Sequence, residues 1–195
     1  ISASNKTYDG NAIATSSITL SGFVGSETLT STNLSSFNNK NVGTDKTVTV
    51  NSITLADGTN GGLAANYSIS TGQTTTADVT AKSLTVSGIT ASNKTYDANA
   101  VATLVSTSVV YTGLVAGDDF TGTYTGVFDN ANVGTGKTVT ITPTYSGADV
   151  GNYSVTDQST ATGNIVAKTL TATASTANKT YDGDNTATTT LTLSG

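Results

Sequence analysis

The chain has 195 residues, a formal net charge of −5, and only 11% charged and 35% hydrophobic residues. It carries 43 threonines, no Cys, His, Met or Trp, and lysine as its sole basic residue. That composition speaks against a disulfide framework or thiolate chemistry, against ordinary zinc or copper sites, and, with its acidic balance, against a nucleic-acid partner.

Low charge together with low hydrophobicity is not the pattern of a disordered chain. Threonine fills the gap, and threonine favours strands. A thin core suits two small domains better than one large one. No apolar run approaches the roughly 18–20 residues a membrane-spanning helix needs. The chain starts at Ile1 with neither an initiator Met nor a signal peptide, and so reads as an excerpt from a longer precursor.

In chain order, alternation of apolar and polar residues predicts strands around Ile18 and Leu20, Val48 and Val50, Tyr67 and Ile69, and Leu84 and Val86. Further strands are predicted around Val139, Ile141 and Tyr145, and around Leu191 and Leu193. Turn signals separate them: Asp9-Gly10-Asn11, Asp57-Gly58, Gly61-Gly62, Gly117-Asp118-Asp119 and Ser146-Gly147. No stretch has sustained helical spacing.

The chain repeats itself. Ala3-Ser4-Asn5-Lys6-Thr7-Tyr8-Asp9 returns as Ala91-Ser92-Asn93-Lys94-Thr95-Tyr96-Asp97, and again as Ala177-Asn178-Lys179-Thr180-Tyr181-Asp182. Phe37-Asn38-Asn39-Lys40-Asn41-Val42-Gly43-Thr44 matches Phe128-Asp129-Asn130-Ala131-Asn132-Val133-Gly134-Thr135. Asn66-Tyr67-Ser68-Ile69 matches Asn152-Tyr153-Ser154-Val155, and Ala81-Lys82-Ser83-Leu84-Thr85 matches Ala167-Lys168-Thr169-Leu170-Thr171. The period, about 85–88 residues, is too long for a solenoid coil and suits one small sandwich.

The expected architecture is all-β: tandem small Ig-like β-sandwich domains, beads on a string, each with a core of its own. Domain 1 spans residues 1–81, with or without its first strand; domain 2 spans 82–167; residues 168–195 hold only the opening strands of a third copy. The joints at Lys82 and Lys168 lack a Gly/Ser-rich linker and should be short and stiff.

These landmarks resemble the YDG repeat, a relative of the mostly-β, glycine-rich repeats of large bacterial exoproteins. The motifs that carry the resemblance are Lys-Thr-Tyr-Asp-Gly, Gly117-Asp118-Asp119, the Phe-x-Asn-x-Asn-Val-Gly-Thr run, Asn-Tyr-Ser and the closing Ala-Lys-x-Leu-Thr. The resemblance implies secreted or surface-anchored adhesins of Gram-negative bacteria, filamentous-haemagglutinin-like exoproteins among them. Two positions depart from it: Ala98 stands where glycine is expected, and copy one has Gly25-Ser26-Glu27 in place of Gly-Asp-Asp.

The expected function is that of structural stalk or spacer repeats in an adhesin or surface filament, serving cell adhesion or matrix and biofilm attachment. The alternatives are a glycan-binding module and a fibre subunit assembled by strand addition. No enzyme is expected: the chain has no His, its only Glu is Glu27, and no serine has a base to activate it. No cofactor is expected either, with calcium as the alternative. Asp9 and Asn11, Asp97 and Asn99, and Asp182 and Asp184 have the spacing of an oxygen-ligand loop; equally, each pair fits an Asx turn. Six Asn-x-Ser/Thr sequons, including Asn5, Asn66, Asn93, Asn152 and Asn178, are about the number chance would give. The expected partners are further copies of the repeat and surface polysaccharide.

Overall fold

Alternating threonine and β-branched or aromatic residues leave this chain little choice but strands, since one face of each can be buried and the other left polar. The computed structural model describes residues 1–195 and contains no α-helix. The first copy forms β1 (Ser2–Ala3), β2 (Lys6–Thr7), β3 (Ile13–Ala14), β4 (Ser16–Ser17), β5 (Leu29–Phe37), β6 (Gly43–Asp57) and β7 (Thr74–Thr80). The second forms β8 (Lys82–Ser87), β9 (Thr90–Ala91), β10 (Lys94–Thr95), β11 (Val101–Ala102), β12 (Leu104–Val105), β13 (Val110–Thr112), β14 (Thr121–Phe128), β15 (Gly134–Ser146), β16 (Tyr153–Thr156) and β17 (Thr160–Val166). The third contributes β18 (Thr171–Thr176) and β19 (Thr189–Ser194). Short 3-10 turns sit at Ala64–Asn66 and Val150–Asn152. The all-β expectation holds.

By contact the chain forms two compact units. The first takes Ile1–Ser87, Val109–Thr123 and Pro143–Asp157; the second takes Gly88–Ser108, Tyr124–Thr142 and Gln158–Gly195.

In the first unit a five-stranded sheet runs in the order β2-β7-β6-β5-β3, and a three-stranded sheet in the order β13-β8-β16. β8 is the centre of the small sheet, antiparallel to β13 and parallel to β16. The core joins Tyr8, Phe37, Val48 and Val79 to Leu84, Phe120 and Tyr153. Val48 and Leu84 are both 0% exposed, and each such side chain contributes roughly 1.5–3 kcal/mol by burial. Phe120 packs edge-on to Tyr153 and to Tyr111, with centroids 5.6 and 5.4 Å apart. The two copies therefore share this core, where the repeat spacing predicts a core for each.

The second unit builds the equivalent five-stranded sheet from the second copy alone, in the order β10-β17-β15-β14-β11. Its core is Ala102, Phe128, Val139 and Ile165. The same irregularity interrupts both large sheets: register slips between Gly43 and Lys46, and between Gly134 and Lys137. At the bulge Asp45 has φ 48° and Gly136 φ 59°. Their amides donate to Asp78 Oδ1 and Asn164 Oδ1, residues at matching positions on β7 and β17. The bulge is a repeated feature of the fold.

Two predicted strands do not form. The segments around Leu20 and around Tyr67 and Ile69 pair with nothing, whereas their counterparts β13 and β16 flank β8. A strand needs a partner for its backbone groups, and the first copy places no strand between these two segments. The third copy's opening strands pair with each other, in an antiparallel hairpin whose residues are all exposed.

Candidate functional site

Three Asp-x-Asx loops recur at the same repeat position, each bent around a lysine. In the first, Lys6 Nζ lies 2.6 Å from Asp9 Oδ1 and donates to Asn11 Oδ1 and to the carbonyls of Asn11 and Ile13. In the second, Lys94 Nζ lies 2.7 Å from Asp97 Oδ1 and donates to Asn99 Oδ1 and to the carbonyls of Asn99 and Val101. In the third, Lys179 Nζ meets Asp182 and Asp184 at 2.8 and 2.7 Å. The Asx turn is present in all three: the amides of Asn11, Asn99 and Asp184 donate to the aspartate two residues before. The residues expected as calcium ligands thus surround an ammonium group, which already supplies a positive charge to their oxygens. Burial alone would raise the Asp9 pKa, but the Lys6 ammonium and the Asn11 amide outweigh it and hold it low. Lys94 does the same for Asp97, and Lys179 with Thr186 takes Asp184 to about 2.

The densest polar cluster lies in the first unit, where loops of the first copy meet loops of the second. Lys40 Nζ bridges two carboxylates, 3.0 Å from Asp118 Oδ1 and 2.8 Å from Asp149 Oδ1. The Asp118 side chain is only 3% exposed. It accepts from Tyr8 Oη at 2.8 Å and from Tyr153 Oη. Asp149 accepts from the Asp119 amide through Oδ2 and from Asn152 Nδ2 through Oδ1. Asn152 in turn accepts from the Val42 amide at 3.0 Å and donates to Asn41 Oδ1. Lys40 also stands over the Tyr8 ring, 5.7 Å from its centroid, and the Tyr8 and Tyr153 rings meet edge-on at 5.6 Å.

The electrostatics follow from that geometry. Burial would raise Asp118, but the hydroxyls of Tyr153 and Tyr8 and the Lys40 ammonium stabilise its charged form more and lower its pKa. Lys40 lowers Asp149 directly, helped by the Asp119 amide. The two carboxylates in return hold the proton on Lys40 far above the ordinary lysine range. Burial pushes Tyr153 up to about 12, and Asp118 adds to it. Asp118 and Asp149 are thus ionised, each hydrogen-bonded to several partners, with Lys40 as counter-charge.

The chain matches the YDG domain model over residues 1–77 and again over residues 80–162. It belongs to the YDG domain family. Comparison with curated proteins and with solved structures found no match.

The two YDG domains differ at the positions that build the cluster. Lys40 corresponds to Ala131, Asp118 to Ser26, and Asp149 to Leu63. What persists is the tyrosine of Asn-Tyr-Ser: Tyr153 Oη receives the Val115 amide at 3.0 Å, as Tyr67 Oη receives the Val24 amide at 3.1 Å. Tyr67 gives its hydroxyl proton to Glu27, the residue aligned with Asp119. Sequence reasoning reached Tyr8 as a repeat landmark and Asp118 as a turn residue. It passed over Lys40 and Asp149, which repeat-to-repeat alignment makes look like losses of pattern. The signal was that three aligned positions change together, a lysine in one domain against two aspartates in the next. Asn152, one of the sequons, is 3% exposed, so its side chain belongs to the cluster.

Proposed function

We propose that these YDG domains are structural spacer repeats of an extracellular bacterial adhesin or surface filament, secreted or held at the surface of a Gram-negative cell. One observation carries the reading: consecutive YDG domains share a core and are tied by Lys40, Asp118 and Asp149. A spacer needs such ties, because a stalk that flexes freely at each joint cannot hold a binding tip at a distance. Neutral, threonine-rich strand faces keep the surface indifferent to salt. The reading needs no cofactor, since a lysine already fills each loop where calcium would sit. It places further copies of the repeat as the neighbours of this chain, with sequence boundaries near Lys82 and Lys168, and relates each copy to the glycine-rich repeats of filamentous-haemagglutinin-like proteins. Domains of this kind would serve cell adhesion or biofilm attachment by reach.

The test is binding. The chain is applied to an array of bacterial polysaccharides and host glycans, alongside immobilised matrix proteins. The spacer reading expects no saturable binding by the repeats themselves; reproducible recognition of one sugar class would replace it with a glycan-binding module.

A further inference from the structure

After its long strand β6 the first YDG domain makes a longer turn than the second makes after β15. Between Gly58 and the Asn-Tyr-Ser landmark it has seven residues, 59–65, where the second domain has four, 148–151, after Gly147. The extra length carries Asn60-Gly61, the one Asn-Gly pair in the chain. Both residues are exposed, with φ 57° at Asn60 and 86° at Gly61. Two left-handed residues in succession make the turn that favours Asn-Gly. The Gly62 amide closes it by donating to the Thr59 carbonyl at 3.1 Å. The Gly61 amide inside the turn donates to no protein group.

The Asn60 side chain ties this turn to the segment beside it. Asn60 Nδ2 donates to the Ser26 carbonyl at 2.8 Å. The Thr28 amide donates to the Thr59 carbonyl, and the Thr59 amide to Thr28 Oγ1. Glu27 stands close by: a Cβ on Gly61 would lie 3.9 Å from Glu27 Oε1. Glu27 Oε2 accepts from Tyr67 Oη, which in turn receives the Val24 amide. Residues 24–28 are thus held through Asn60, Thr59 and Tyr67, with one carboxylate already among them.

We infer that Asn60-Gly61 is a site of self-catalysed deamidation whose product releases residues 24–28. Asparagine is a thermolabile residue, and a following glycine has no side chain to shield its nitrogen from the asparagine amide. Gly61 N gives up its proton to water and bonds to Asn60 Cγ; the Cγ–Nδ2 bond breaks, and ammonia leaves with a proton from solvent. Water then opens the five-membered imide. Opening at the side-chain carbonyl leaves aspartate in place of Asn60. Opening at the backbone carbonyl leaves isoaspartate, whose main chain is one methylene longer. Either product exchanges the Asn60 donor for a carboxylate facing the Ser26 carbonyl and Glu27, so a hydrogen bond becomes a repulsive contact. The inference is a property of one turn and stands apart from the spacer reading.

The test is to age the full chain at neutral and at mildly alkaline pH, then map its peptides by mass spectrometry and assay isoaspartate with an isoaspartyl methyltransferase. Conversion is expected at Asn60 ahead of every other asparagine, several-fold faster at the higher pH, with isoaspartate among the products. Asn60→Ser should remove the signal. In hydrogen exchange the Val24, Glu27 and Thr28 amides of the aged chain should exchange several-fold faster than those of the fresh one. Asn60→Asp, which supplies the charge without the longer backbone, should show part of that gain. Asn60 left intact while other asparagines convert would overturn the proposal. So would a rate indifferent to pH, or an aged chain whose Val24, Glu27 and Thr28 amides exchange as before.

Discussion

Lys40 and Asp149 lie in different YDG domains, yet Lys40 Nζ stands 2.8 Å from Asp149 Oδ1, with Asp118 Oδ1 3.0 Å away on its other side. Removing the lysine leaves two carboxylates facing each other in a site that excludes most water, and leaving charges unpaired is costlier than the pair was worth. Lys40→Met should lower the melting temperature. Adding Asp149→Asn to that variant should recover part of the loss, because the remaining Asp118 keeps both tyrosine hydroxyls. Thermal melts of the two single variants and the double variant check the coupling; strictly additive effects would argue against it.

Tyr8, Tyr96 and Tyr181 occupy one repeat position in three environments, with exposures of 1%, 38% and 92%. Only Tyr8 gives its hydroxyl proton to a buried carboxylate. Tyr8→Phe should therefore cost about 1.5–3 kcal/mol, the range for a hydrogen bond to a charged group. Tyr96→Phe and Tyr181→Phe should be close to neutral in the same denaturant titration.

The cluster sets the pH range of stability. The pKa values of Asp118 and Asp149 are lowered on folding, so their contribution is present above the unfolded aspartate value near 4 and is lost as pH falls through the folded values. Those of Lys40, Tyr8 and Tyr153 are raised. Their contribution is complete below the unfolded values near 10 and is lost as pH rises through the folded ones. Urea midpoints should form a plateau across neutral pH, falling below about pH 4 and again above about pH 10. In Lys40→Met both declines should be shallower.

Ala98 has φ 65°, at the turn position where Gly10 and Gly183 have φ 84° and 87°. The sequence shows alanine where the family has glycine, and the backbone keeps the left-handed conformation with that alanine in it. Ala98→Gly should stabilise the chain by about 0.5–1 kcal/mol, the left-handed strain of alanine less the extra flexibility of glycine. The reverse change, Gly10→Ala, should destabilise, because its Cβ would lie 2.7 Å from Val115 Cγ1.

What the sequence displayed was periodic: alternation at Val48 and Val50, turns at Asp57-Gly58 and Gly117-Asp118, the repeat landmarks, and from these the all-β class. Alternation reports which face of a strand is buried but not what buries it. That is why Leu20 and Ile69, correctly apolar, form no strand where no partner lies between them. Nor does it say whose core a residue joins: Leu84 opens the second domain in sequence and packs with Val48 and Phe37 of the first. The Asp-x-Asx loops were legible, but the ammonium inside them was not, because Lys6 and Lys94 precede the loops and only the folded turn brings them back. Lys40 was invisible for a related reason. Its partners lie a whole repeat away, and a contact of that range leaves no local pattern.

Two successive YDG domains meet in one shared core, and native-state hydrogen exchange of Leu84→Ala probes that core. Leu84 is 0% exposed, and its truncation should cost about 2–5 kcal/mol. If the core is shared, the slowest amides of β6 in the first domain, Val48 and Val50, should lose protection by the same amount as those of β8 and β16 in the second. Unchanged protection in β6 beside weakened protection in β8 would mean that each domain closes its own core, and would contradict a shared one.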